Sequence, residues 1–154
     1  MNIKRITFLV LLTASFLLMT QEVHAAAPKG THDGVNDSAC VTTGWAYDPD
    51  TSSSSISVDI YRDGGAGSGV SLGRFSTNVY RSGVNNAFGI SGNHGFDVNL
   101  SSYIADGKSH SLYIYPIDIP TNLGSPSNPL NRTPRIIQCA AAVGPQPSVD
   151  IKGQ

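Results

Sequence analysis

The chain has 154 residues, 14% of them charged, with 16 glycines, 9 prolines and a formal net charge of −1. With no basic excess and no polybasic segment, it has nothing to hold phosphate backbones or anionic lipid, which argues against nucleic acid and membrane surfaces as partners. Low charge with frequent glycine and proline suits short strands and turns better than helices.

In chain order, Lys4 and Arg5, the apolar run 6–19 and Val23-His24-Ala25 read as a secretory signal peptide over 1–25, cut after Ala25. A cut after Ala27 would leave Pro28 first, a poor product for a signal peptidase. The apolar run is short for a membrane span, so no span is expected after cleavage, and the product is expected to be secreted or periplasmic. Roughly 130 residues then remain, enough for one domain over 26–139, with 140–154 as a flexible tail.

Residues 26–36 are a loose lead-in with a short strand around Val35. The alternation of Val41, Thr43 and Trp45 with Thr42, Gly44 and Ala46 has the period of a strand, stopped by Asp48-Pro49-Asp50 and the serines that follow. That strand is expected to bury Trp45, whose replacement by alanine would then cost roughly 3 to 5 kcal/mol. Residues 56–62 alternate with Ile56, Val58 and Ile60 inward. A glycine-rich turn, 63–69, leads to extended structure over 70–79 with Leu72 and Phe75 buried. Residues 80–93 carry turn chemistry without a period and read as a long ordered loop. Strands follow at 94–100, with Phe96, Val98 and Leu100 inward, and at 110–117, where Leu112 and Ile114 oppose Tyr113 and Tyr115. Residues 120–134 form another loop, and 135–139 close the pattern.

Two cysteines in an exported chain, in neither a Cys-x-x-Cys pair nor a metal-ligand spacing, are expected to form one disulfide, Cys40 to Cys139. About seven short strands separated by turn signals define an all-β chain, an antiparallel immunoglobulin-like β-sandwich with one disulfide. The tryptophan sits too close to the first cysteine for a true immunoglobulin domain, so the likeness is one of architecture.

Gly44-Trp45-Ala46-Tyr47-Asp48-Pro49-Asp50, Val58-Asp59-Ile60-Tyr61, Asn93-His94-Gly95-Phe96 and Asp106-Gly107-Lys108-Ser109-His110 with 113–118 together resemble a small exported bacterial β-sandwich module of poorly defined function. The resemblance covers about 34–139. It implies an exported sandwich of bacterial origin and carries no catalytic residues.

Several constellations carry residue types capable of chemistry. His94 and His110, with Asp97, Asp106 or Asp118 as partners, lack the spacing of a ligand pair and read as side chains bonding the turns that start their strands. Gly67-Ser68-Gly69 lacks the strand that feeds a nucleophile elbow, and 64–69 lacks the lysine and helix of a phosphate cradle. Asp48 and Asp50 have oxygen ligands suited to calcium, but an Asp-Pro turn capped by side chains accounts for them, and no cofactor is expected. Tyr61, Tyr80, Tyr113 and Tyr115, with Arg81 and Phe88 from the 80–93 loop, are the candidate binding residues, because such side chains anchor sugars or protein partners at low entropy cost. Ligand contact is expected from 80–93 together with 120–134. The expected function is a non-catalytic binding or adhesion module for glycan or protein; a structural envelope component and a small secreted hydrolase are the alternatives.

Overall fold

The computed structural model describes residues 26–118 and 128–142. The signal-peptide segment, the first part of the 120–134 loop and most of the tail lie outside these residues.

Among the described residues there are eight strands: β1 Lys29–Asn36, β2 Val41–Tyr47, β3 Ser57–Arg62, β4 Val70–Ser76, β5 Val79–Tyr80, β6 Asn93–Asn99, β7 Ser109–Pro116 and β8 Arg135–Gln138. They form two antiparallel four-stranded sheets, ordered β1-β2-β6-β5 and β4-β3-β7-β8. This is the A-B-E-D against C′-C-F-G arrangement of an immunoglobulin-like sandwich. The expected lead-in around Val35 is a full eight-residue strand, paired with β2 from Lys29 opposite Tyr47 to Asn36 opposite Val41. Its polar sequence hides the strand, which is placed by its backbone pairing with β2.

Strands β3, β6 and β7 present the expected inward sets. Val58 and Ile60, Phe96 and Val98, and Leu112 and Ile114 are buried, and Ile56, Leu100, Ile104, Leu130 and Ile137 extend the core between the sheets. Phe75 only packs partly buried against its margin. After β4 the chain changes sheet at Thr77, a buried residue whose hydroxyl accepts from Ile56 N at 3.0 Å and donates to Ile56 O at 2.9 Å. That double bond satisfies the backbone at the crossover and separates β4 from β5 within what reads as one extended run.

The facing of β2 differs from expectation. Thr42, Gly44 and Ala46 point inward, while Trp45 is half-buried on the outer side. A Cβ at Gly44 would run into the Phe96 ring of the neighbouring strand, so the small residues of β2 are what make room for Phe96. Cys40 is buried and bonded to Cys139, 99 residues away. Cys40 precedes β2 in a turn, at φ 54, so the alternation that turns Trp45 outward begins at Val41.

Residues 80–93 are not a loop throughout. Tyr80 ends β5, and α1, Ser82–Phe88, follows, closed by Gly89 at φ 63, whose N–H donates to Asn85 O. Gly89 is the left-handed stop that glycine supplies at a helix end. A second short helix, α2, spans Ser101–Ile104.

His32 lies fully buried between the sheets, its Nε2 2.8 Å from Thr42 Oγ1 and its Nδ1 3.3 Å from Thr133 Oγ1. Burial, and next the Arg135 charge, push its imidazole down to about 4, so it folds neutral. In the unfolded chain it takes up a proton below about 6.5, so stability is full above that pH and falls towards pH 4, by at most roughly 3 kcal/mol. Urea midpoints at pH 7 and pH 4.5 test this; equal midpoints would contradict a neutral buried His32. Replacing both cysteines by serine should lower the unfolding free energy by about 3 to 5 kcal/mol, since the lost cross-link closes a long loop. A loss under about 1 kcal/mol in urea titrations would show that the cross-link contributes little.

Candidate functional site

The outward turn of Trp45 creates an aromatic cluster on the outer side of the β1-β2-β6-β5 sheet. Trp45 stacks on Tyr47 with centroids 6.1 Å apart and planes 18° apart. Phe88, carried there by α1, lies 5.2 Å from both rings and tilted 45° to each. Tyr47 is buried beneath, edge-on to His94 at 5.9 Å, whereas Phe88 is 45% exposed. The helix thus has a use in the site: its last residue closes over the tryptophan.

Trp45 and Phe88 form one wall of a cleft of about 300 Å³ at the end of the sandwich where β1 begins. Pro28, Lys29 and Gly30 line it with Pro116 and Asn128, Pro129, Leu130 and Asn131. Backbone bonds hold the second wall: Leu130 N donates to Ile114 O at 2.8 Å, Asn131 N to Gly30 O at 3.3 Å, and His32 N to Asn131 O at 3.0 Å. Gly30 is required by crowding, because a Cβ there would meet Trp45 O and the Leu130 side chain. The site therefore combines half-exposed rings with the exposed amides Asn128 and Asn131, at a volume near the lower limit for small-ligand sites. A larger depression, about 440 Å³, lies by the disulfide, but Asp37 and small serine, alanine and cysteine residues line it, and it offers no ring for stacking.

The structure divides the six expected binding residues. Phe88 lines the cleft. Tyr80 is 65% exposed on β5, and Arg81 lies across Gly95 to reach Gly44 O at 3.4 Å and Asp33 at 3.6 Å, tying β5 to β2 and β1. Tyr61, Tyr113 and Tyr115 stand on the outer face of the other sheet, with Tyr61 opposite Tyr113 and edge-on to Tyr115 at 5.7 Å. The Tyr115 hydroxyl accepts from Ala66 N at 3.2 Å, so this ring fastens the glycine-rich turn. Sequence reasoning missed Trp45, Pro28 and Asn131 as neighbours. No local pattern marks them, because the walls of the cleft come from distant segments of the chain.

The histidines bond turns. His94 is buried, and its Nε2 lies 2.9 Å from Ser91 O. His110 Nδ1 lies 2.7 Å from Asp63 Oδ2 and its Nε2 3.1 Å from Asp106 Oδ1, pinning the turn after β3 to the turn before β7. Burial pushes the Asp63 carboxyl up, but hydrogen bonds from His110 and Ser111 N, with the charges of His110 and Arg62, hold the group below its ordinary range. Asp106 is likewise held low, chiefly by Lys108 N–H. Asp48 accepts from Asp50 N at 2.8 Å, capping a 3-10 turn over Pro49–Thr51. Among the described residues no group of three or more His, Cys, Asp or Glu side chains could hold a metal ion, and no helix is long and apolar enough to cross a membrane.

Comparison with family models, with curated proteins and with solved structures finds no match to this chain.

A partly exposed Trp45 should be quenched by acrylamide in the folded protein, and Trp45→Ala should cost about 2 kcal/mol, its ring contacts and partial burial together falling short of a core tryptophan. A blue-shifted, unquenched emission with a loss near 4 kcal/mol would return Trp45 to the core.

Proposed function

We propose that the protein is an exported, non-catalytic binding module that takes a glycan chain in the cleft between Trp45, Phe88 and the 128–131 segment. The observation that carries this reading is the pair of partly exposed rings, 5.2 Å apart and tilted 45°, facing amide side chains across a small cleft. Aromatic faces pack against the apolar faces of sugar rings, and the amides of Asn128 and Asn131 suit the hydroxyls at their edges. A near-neutral chain gives no reason to prefer a polyanion.

Export to the periplasm or the medium is supported by the signal-like start and by a disulfide, which persists in oxidising compartments. The resemblance to exported bacterial modules points the same way. A non-catalytic role is supported by the turn bonds of His110 to Asp63 and Asp106 and by the full burial of His94, which lies out of reach of a substrate.

Native electrophoresis through gels containing xylan, mannan, laminarin or pullulan tests the reading. At least one polysaccharide should retard the protein, and Trp45→Ala or Phe88→Ala should weaken retention about tenfold or more, in keeping with loss of a central aromatic anchor. No retardation by any of them, with capture of a specific protein lost in the same variants, would transfer the cleft to a protein ligand.

A further inference from the structure

The chain enters the cleft wall through its first described residues, and one contact there has no place in the fold's own hydrogen bonding. Ala26 N lies 2.6 Å from Asp50 Oδ2. The ladder between β1 and β2 ends at Lys29 opposite Tyr47, and the next residue outward, Pro28, has no N–H with which to continue it. Asp50 N is used within its own turn, donating to Asp48 Oδ1 at 2.8 Å, while the Asp50 carboxylate is left on the exposed side to receive Ala26.

We propose that Asp50 is the docking carboxylate for a new N-terminal ammonium at Ala26, created when the precursor is hydrolysed between Ala25 and Ala26, and that this pair anchors the Pro28–Gly30 wall of the cleft. The inference rests on the reading of the protein as exported. A signal peptidase adds water across the Ala25–Ala26 bond: the leader leaves with the carboxylate on Ala25, and Ala26 keeps the nitrogen. An α-amine is mostly protonated at neutral pH, so cleavage replaces an amide donor to the carboxylate by a cation and turns a charge-assisted hydrogen bond into an ion pair. Hydrolysis after Ala27 would instead put a proline nitrogen at the chain start, two residues beyond the one that meets Asp50. Processing after Ala25 therefore does more than release the protein: it completes the fastening of Pro28, Lys29 and Gly30, which line the cleft beside Trp45.

The test uses the full precursor expressed in a secreting host. Intact mass should place the exported N-terminus at Ala26. An amine-selective acylating reagent at pH 7, with Lys29 as internal reference, should label the α-amine of Asp50→Asn about threefold faster than that of the unaltered protein, because only free neutral amine reacts. A form carrying one additional glycine before Ala26 should label as fast as Asp50→Asn, and amide exchange over 29–31 should quicken in both. Equal labelling in all three forms, with the unaltered protein and Asp50→Asn beginning at Ala26, would overturn the pairing and leave export standing. A start at another residue would overturn the assigned cleavage, and an unprocessed chain would remove the exported reading as well.

Discussion

The covalent link between Cys40 and Cys139 is the constraint on which the arrangement depends. It joins the entry of β2 to the end of β8, and so ties the first sheet to the last strand of the second. The buried residues that follow Cys40 along β2 are Thr42, Gly44 and Ala46, small enough for Phe96 to fill the space over them. Phe96, not Trp45, is therefore the large aromatic at the centre. Trp45 is left on the outside, where it stacks on Tyr47 of its own strand and is covered only in part by α1.

From that one inversion the cleft follows. A tryptophan outside the sandwich needs neighbours, and the structure supplies them from three distant segments: 28–30 at the start of β1, Phe88 at the end of α1, and 128–131 before β8. Two of these fall within the segments 80–93 and 120–134 that lack a strand period. Polar turns elsewhere are spent on holding the frame: His110 binds Asp63 and Asp106, Tyr115 binds the glycine-rich turn, and Arg74 grips Asp59 through two bonds of 2.7 and 2.9 Å.

The alternation in β3, β6 and β7 could be read directly, because each has one face against the core and the other in solvent, which writes apolar and polar residues in turn. Strand β1 could not, since Lys29 to Asn36 has little apolar character and gains its place from pairing with β2. Helix α1 was hidden by Gly83, Asn85, Asn86 and Gly89, residues of turns, one of which is the helix stop itself. For β2 the period was visible but its sense was not: size alone argues for Trp45 inward, and only the room that Phe96 takes over Gly44, a contact across strands, argues against it. The cleft has no local signature at all, because its walls come together through the register of the sheets and not through neighbouring residues.

The lone tryptophan makes the central claim directly measurable, for it gives a single indole N–H resonance. Titrating the isotope-labelled protein with oligosaccharides of a polysaccharide that retains it should shift that resonance together with signals of Phe88 and Asn131, and leave Tyr61 and Tyr113 on the opposite sheet unmoved. An indole resonance that stays fixed at saturation, with the shifts gathered on the tyrosine face, would contradict the account.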